Sequence, residues 1–543
     1  MLTALIIFLI TYIFIGLRQI PRLHIDRTAG ALVGAVLMIV SGVLTLDQAF
    51  AAIDMHTLLL LLGMMIITVY LRTAGFFELM AGRIVSHART PSQLLVFVVI
   101  SAGLLSALFV NDTICLLYTP IILEAAVQLG VNPMPYLLAL ATSSNIGSVM
   151  TVTGNPQNML IGISSKIDYL TFLGALFPVA VLGLLVCIVV IRFVYRKEMH
   201  ADAFVDEPRM PAYPVRKLLL AKALVVSGGV LVAFSAGYPY SLAAVSGAAV
   251  LLLIGGVRTE TILEGVDWTL LLFFTGLFVV MHGVETSGLA RIVIDGAGDL
   301  GALTPEGRIA GLSAISAILS NAVSNVPAVM LLRPLVESLG NSPIAWLALA
   351  MSSTLAGNLT LIGSVANLIV AQQAKRRVEI GFMEYFRVGA LITVITLAIG
   401  IIVLIVEVNL AHGAERSSVV THTRQRVTIL QSDKSASPRE YTVVLLCDTD
   451  SARAKGLQGF SALKTGEAAL FVFQKPEAAT FWMGSVAYPI DIIFVAPDKR
   501  VTRVYANCRP GSRDYYPSFQ KISWVIETAA GSGIKTGDRI LFE

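Results

Sequence analysis

Charge is the scarcest commodity in this 543-residue chain: Asp, Glu, Lys and Arg make up 14% of it, against 56% hydrophobic residues. Soluble proteins carry about 25% charged residues, so the composition excludes an ordinary soluble enzyme and predicts a protein whose solvent is the bilayer. A formal net charge of +4 is too small to suggest a nucleic-acid partner. Seven histidines are scattered singly and build no H-E-x-x-H. The four cysteines, Cys115, Cys187, Cys447 and Cys508, show no C-x-x-C spacing, so no metal set is predicted. Cys447 and Cys508 share the tail and would form a disulfide only if that tail is extracytoplasmic. No nucleophile–base grouping suggests catalysis. No G-x-x-x-x-G-K-[ST] occurs either, so transport by such a chain would draw on an ion gradient or the membrane potential, with no organic cofactor.

A secretory leader is missing too. Residues 1–17 are apolar from the start, and the basic residues Arg18, Arg22 and Arg27 follow them, the reverse of a signal peptide. That order predicts a retained span with its N-terminus outside.

What is present is a series of apolar runs near the 17–25 residues a crossing helix needs. Spans are predicted near 1–17, 28–46 and 57–71, then a re-entrant hairpin between Leu94 and Leu129, a broken span at 136–162 and another span at 171–195. A basic cytoplasmic linker, 196–216, leads to spans near 218–236, 240–256 and 268–284, a second hairpin at 308–339, a broken span at 344–372 and a last span at 386–408. Short loops rich in Lys and Arg stay in the cytoplasm. This places Arg72, Arg83, Arg89 and Lys375-Arg376-Arg377 inside and everything after Asn409 outside. Two ordinary crossings in place of each hairpin preserve the charge pattern equally well. Asp54, Glu124, Asp267, His282 and Glu285 fall near span ends and read as interfacial.

The halves repeat one another. TSSNIGSVMTVTGNPQNMLI matches MSSTLAGNLTLIGSVANLIV, with Thr151, Gly154 and Asn158 falling on Thr360, Gly363 and Asn367 at one constant offset. Upstream, Ser106, Asn111 and Pro120 fall on Ser320, Asn325 and Pro334. The charge rule starts repeat one (about 1–195) outside and repeat two (about 217–410) inside, so the repeats are inverted, with interrupted helices at equivalent places. That is the architecture of a secondary transporter. Unwound backbone at membrane depth is tolerated only where protein or a watery cavity surrounds it. Gly154 and Pro156 break the first helix, and Thr151, Asn155, Gln157 and Asn158 supply neutral donors and acceptors; the second copy offers Thr360, Gly363, Ser364 and Asn367. The hairpin tips, Asn111-Asp112-Thr113 and Ser324-Asn325-Val326, complete the predicted site. Asp112 has no carboxylate counterpart. An ionisable residue at that depth is a candidate for carrying a coupling proton or holding Na⁺, or it is the N-cap of the returning arm.

NDT followed by LYTP, TVTGNPQN and STLAGNLTLIGSVANLIV resemble the permeases of the large ion-transporter superfamily. That group includes arsenite efflux permeases, citrate–metal and dicarboxylate/sulfate permeases, and one class of Na⁺/H⁺ antiporters. The resemblance covers about residues 1–410. It implies an elevator or rocking movement of the hairpin-and-broken-helix bundle in a homodimer. In the dicarboxylate branch both tips read Ser-Asn-Thr; the Asn-Asp pair here is closer to the arsenite permeases.

After a polar tether, 411–424, the composition changes to short alternating runs such as YTVVLLC, PIDIIFVA and ISWVIET, which read as strands of one β-rich domain over 425–543. GLQGFSAL, FWMGSVAYPIDIIFV and the closing GIKTGDRI resemble domain-of-unknown-function family one hundred and ninety-two, a small exported domain. Its members usually carry a Lys-Asn-Thr-like run where this chain has Gly484-Ser485-Val486. Trp482, Met483, Pro489 and Asp491 are candidates for lining a groove, or they are core and turn.

The expectation is therefore an all-α polytopic inner-membrane protein fused to a β-rich extracytoplasmic tail, acting as an ion-coupled secondary transporter of a small anion. Two other readings stay open. One is a Na⁺/H⁺ antiporter working through Asp112. The other is a membrane-anchored sensor or assembly factor whose tail binds a ligand.

Overall fold

A computed structural model describes residues 2–16, 26–199, 214–288, 300–420, 426–431, 438–449, 452–453, 456–458, 460, 462–484, 486–512 and 514–542. Arg18, Arg22, Arg209 and most of the 196–216 linker lie outside the described residues. Contacts divide the chain into two compact units, Met1–Val408 and Asn409–Glu543.

The first unit is helical. The first half supplies α1 (Leu2–Gly16), α2 (Arg27–Val40), α3 (Leu46–Ala52), α4 (Met55–Thr73), α5 (Phe76–His87), α6 (Pro91–Leu108), α7 (Asn111–Gln128), α8 (Met134–Ser148), α9 (Pro156–Ser165) and α10 (Tyr169–Val194), and the linker starts with α11 (Arg196–Met199). The second half supplies α12 (Lys217–Ser235), α13 (Tyr240–Ile254), α14 (Thr259–Glu264), α15 (Trp268–Thr286), α16 (Pro305–Val323), α17 (Asn325–Ser338), α18 (Pro343–Ala356), α19 (Val365–Ala374) and α20 (Phe382–Val420). Among the described residues, six helices are long and apolar enough to cross a membrane: α4, α6, α10, α12, α15 and residues 382–410 of α20. Large apolar side chains such as Leu253, Val225 and Phe193 point outward, as lipid-facing surfaces do.

Helix starts follow local chemistry. Asp26, Asp54, Asp168 and Asp267 each accept a backbone N–H in the first turn of α2, α4, α10 and α15. Thr45 and Gln48 form a capping box on α3. That short helix, with α5 and α14, falls between the predicted spans and was not expected from hydropathy. Residues 411–420, expected as tether, instead continue α20 to Val420. Ala, Glu and Arg there favour helix, and no proline stops it. At 1.5 Å per residue α20 is roughly 58 Å long, well beyond a hydrocarbon core of about 30 Å.

Close packing exchanges partners between the halves. A Cβ on Gly63 of α4 would lie 2.6 Å from the backbone of Ala244 in α13, and one on Gly276 of α15 would lie 2.8 Å from that of Ala31 in α2. Each glycine thus admits the backbone of the other repeat.

The tail is built on a seven-stranded sheet of order β6-β5-β8-β3-β2-β1-β9. Its strands are β1 (Arg426–Leu430), β2 (Arg439–Cys447), β3 (Glu467–Glu477), β5 (Ile490–Val495), β6 (Val501–Cys508), β8 (Ile522–Ala529) and β9 (Arg539–Phe542). Among the described residues, only the β2–β3 pair is parallel. A separate two-stranded ribbon pairs β4 (Thr480–Trp482) with β7 (Tyr515–Pro517). Separate apolar clusters form in the tail, one around Phe471, Phe494 and Val525 and another around Ile429, Ile493 and Ile526. Cys447 and Cys508 are buried free thiols in the first of these.

Candidate substrate site

The two breaks are built alike. Asn158 donates from Nδ2 to the carbonyls of Ser148 (3.0 Å) and Thr151 (2.9 Å). Asn367 donates to Gly357 (2.8 Å) and Thr360 (3.1 Å), at the same sequence separations of 10 and 7. Each asparagine thereby satisfies carbonyls that the interrupted helix releases. Glycine follows the same plan. A Cβ on Gly154 would fall on the Ser148 carbonyl oxygen, and one on Gly363 would lie 2.9 Å from that of Gly357. Thr151 donates from Oγ1 to the carbonyl of Ala107 at the end of α6, tying the break to the hairpin.

The sequence reading missed the residue at the centre, Asn145 on α8. Its Oδ1 accepts from Asn111 Nδ2 (2.9 Å) and from Ser364 Oγ (3.0 Å). Its Nδ2 donates to Oδ1 of Asn358 (2.8 Å) and of Asn367 (3.0 Å). One buried amide therefore joins the first hairpin tip to the second break. A counterpart bond runs the other way: Asn155 and Gln157, at the first break, donate to Thr354 Oγ1 on α18 (3.3 and 3.1 Å). Thr354 occupies the position equivalent to Asn145, and Ser364 that equivalent to Asn155. The signal was available, because SSN and SST stand at matching places in the aligned stretches. Small polar residues inside an apolar helix read first as packing.

A cavity of about 40 Å³ lies among the helix starts, lined by Asn111 and Asp112 of α7, Pro156 and Gln157 of α9, Ser324, Asn325 and Val326 at the start of α17, and Ser364 and Val365 at the start of α19. Four helix N-termini thus border one space. Three of them, those of α7, α17 and α19, carry no side-chain cap, whereas Asn155 caps α9 through the N–H of Asn158. Ser324 is held at φ 75°, a conformation rare for an L side chain and common at functional turns. The Oδ1 atoms of Asn111 and Asn325, at equivalent positions, are buried without a hydrogen-bond partner. Arg27, read from sequence as a topology anchor, also lines this cavity and lies 5.6 Å from the centre of the Phe273 ring.

Asp112 does not cap α7: the N-cap is Val110. Among the described residues no hydrogen bond or ion pair holds its carboxyl. It also lines a second cavity, of about 100 Å³, with Thr113, Arg72 and Asp267. The other predicted site residues, Thr151, Gly154, Pro156, Thr360 and Gly363, fall in the breaks beside this centre.

In the tail, Trp482 lines a cleft, but Met483 is fully buried in the core. Asp491 is not a groove residue either. Its carboxylate accepts from the N–H groups of Asn507 (2.7 Å), Gly531 (3.1 Å) and Ser532 (2.8 Å) and from Ser532 Oγ (2.6 Å), pinning the end of β6 and the loop after β8 to β5. Among the described residues no group of His, Cys, Asp and Glu could hold a metal ion.

Residues 5–341 match the family model described as citrate transporter, and residues 430–542 match domain-of-unknown-function family one hundred and ninety-two, described as an uncharacterized ACR. The silicon efflux transporter LSI3 of Oryza sativa subsp. japonica is 34% identical over 451 residues, 70% of this chain and 93% of the relative. An uncharacterized transporter of Mycobacterium bovis is 30% identical over 424 residues, 74% and 97% of the two chains. Among solved structures, the YdaH transporter of Alcanivorax borkumensis superposes with TM-score 0.50 at 14% identity, covering 75% of this chain and 97% of its own. That likeness is one of fold.

Proposed function

The chain belongs to the citrate-transporter family and is a multi-pass membrane transporter rather than an enzyme; from that premise we propose that it moves a small oxygen-rich anion by ion-coupled alternating access. The observation that carries the reading is the convergence of four helix N-termini on one cavity. Free N–H groups and the positive ends of helix dipoles favour negative charge, and Arg27 adds a cation beside them. The unpaired carbonyl oxygens of Asn111 and Asn325 supply acceptors for a substrate hydroxyl or for a coupling cation. Phosphoryl, carboxyl and sulfate groups meet both the charge and the hydrogen-bonding demand; arsenous and silicic acids, uncharged at neutral pH, meet the hydrogen-bonding part, and one relative is named for silicon efflux.

In this reading the two halves are inverted repeats, with the N-terminus and the tail outside the cytoplasmic membrane. Asn111, Asp112, Thr113, Thr151, Gly154, Asn155, Pro156, Asn158, Ser324, Asn325, Thr360, Gly363, Ser364 and Asn367 form or support the site. Asn158 and Asn367 act by holding the breaks open, and Asn145 by joining them. Asp112, between two cavities, takes and releases the coupling ion, Na⁺ or H⁺.

One observation favours a second reading. A lone carboxyl without a partner suits exchange of Na⁺ for H⁺ with no anion at all. Proteoliposomes holding a pH-sensitive dye distinguish the two. A Na⁺ gradient without permeant anion should leave the dye unchanged. Tracer uptake from a panel of arsenite, sulfate and small di- and tricarboxylates should respond to the gradient and fall in Asp112→Asn. A dye response that Asp112→Asn abolishes, with no tracer moved, would replace anion transport by cation exchange.

A further inference from the structure

Two carboxylates are buried on adjacent central strands of the tail, in opposite circumstances. Asp491 on β5 is held by four donors. Glu527 on β8 is only 5% exposed, yet among the described residues its carboxyl has neither a hydrogen-bond nor an ion-pair partner. It stands across from Ala469 of β3 and Ile492 of β5, both members of the same apolar cluster as Val525, two residues before it. A strand position of this kind normally takes an aliphatic residue. Desolvation pushes the Glu527 carboxyl up to about 8.

Glu527 is not sealed in. It lines a cleft of about 270 Å³ walled by Leu457, Phe471, Phe473, Phe481 and Trp482, near the lower end of the ~300–1,000 Å³ that small-molecule sites occupy. The walls are rigidly packed aromatics. Phe481 meets Phe471 edge-on at 5.0 Å and Phe494 at 5.7 Å. Trp482, half exposed, lies over Gly484, where any Cβ would collide with the indole. Arg453 lines the cleft too, but its guanidinium donates to the carbonyls of Asp448 (3.0 Å) and Val472 (2.6 Å) and stacks 5.1 Å from the Phe473 ring. Its charge is engaged along the wall. Cys447 of β2, Cys508 of β6 and Tyr488 before β5 approach Glu527 from the other elements. Burial pushes the two thiols up to about 12 and about 11 and raises Tyr488, so all three stay uncharged at neutral pH, and none is a cation in either protonation state. Among the described residues, no cation sits at this buried carboxyl.

We infer that this cleft binds a small organic cation, an ammonium or guanidinium on an apolar body, with the charge on Glu527 and the body against Phe473, Phe481 and Trp482. Aromatic faces attract cations, and a desolvated carboxylate pairs with one strongly. Binding releases the proton that Glu527 otherwise holds. Affinity should therefore climb about 50-fold between pH 6 and pH 8, as ionisation of a group near 8 grows from about one in a hundred to one half.

The test is calorimetric titration of the full chain in lipid nanodiscs with three matched probes: phenethylammonium, 2-phenylethanol and phenylacetate. The cation should bind at least tenfold more tightly than the alcohol at pH 8, and Glu527→Gln should erase that preference. Trp482→Ala should weaken the cation at least as much as the alcohol, which places the probes in this cleft even where Glu527→Gln folds poorly. Tightest binding of phenylacetate that Trp482→Ala abolishes, cation affinity that is flat with pH, equal cation binding by Glu527→Gln, or no binding of the cation would each overturn the inference.

Discussion

The membrane unit and the tail bury polar groups in contrasting ways. At the centre of the helices most polar groups are neutral amides and hydroxyls, Asp112 apart, and although the Oδ1 atoms of Asn111 and Asn325 stay unpaired, Asn145 alone makes four side-chain hydrogen bonds, to Asn111, Ser364, Asn358 and Asn367. In the tail a single carboxyl, Glu527, is buried among aromatic rings with nothing to bond. The first arrangement suits an apolar interior that must stay assembled while it moves, because neutral partners avoid the cost of desolvating charge. The second leaves a demand unmet and so advertises a ligand.

The largest effect that would break the contrast is expected at its centre. Asn145→Ala strips partners from four buried groups, at about 1–3 kcal/mol for each group left unsatisfied. Little folded protein should survive detergent extraction, as read by fluorescence-detected size exclusion. Asn145→Thr, which copies the equivalent Thr354, should recover part of the yield. A melting temperature unchanged in Asn145→Ala would show that the network contributes little.

Next comes the pair of tail carboxylates. Because the Glu527 carboxyl is raised to about 8, the folded tail keeps a proton that the unfolded chain loses from about pH 4.5 upward. Stability should fall by up to ~1.4 kcal/mol per pH unit across that window and level off above pH 8. Glu527→Gln should remove the slope, matching the wild type near pH 5 and exceeding it at pH 8. Asp491→Asn should do the opposite, losing about 2–4 kcal/mol at neutral pH because an NH₂ faces donors. Thermal unfolding of the full chain from pH 5 to 9 checks both; a Glu527→Gln curve parallel to wild type would refute the isolated-carboxyl account.

A smaller difference separates the two breaks. Overpacking costs about 1–3 kcal/mol, and a methyl at 154 meets backbone more closely than one at 363. Gly154→Ala should lower tracer flux at least tenfold and Gly363→Ala less, with equal losses pointing to breaks that work identically. Smallest of all, Gly484→Ala should cost under about 1 kcal/mol yet displace the Trp482 indole and shift tryptophan emission.

Much of this was legible because it violates the local rule. Gly154, Pro156 and two asparagines inside an apolar run cannot be ordinary helix, and their repetition as Gly363, Ser364 and Asn367 marked both breaks. Residues that keep the helical pattern stayed hidden. Asn145, Thr354 and Asn358 sit within or beside regular helix, and only the folded arrangement brings them together. Arg27 looked like a charge at a span end, and nothing local says that the start of α2 faces the cavity. Asp491 and Glu527 are each an acid in an apolar strand, and only Asp491 stood out as a groove candidate; what distinguishes them is whether a loop arrives with donors, which no strand pattern encodes.

The bonds of Asn145 also set a timetable for synthesis. Its partner Asn367 lies 222 residues downstream. At roughly 5–20 residues per second the ribosome needs about 10–45 s to deliver it. Through that interval the newborn first half holds an amide that has Asn111 but not its other three partners. The polar centre of the first half is therefore completed only when the second half arrives.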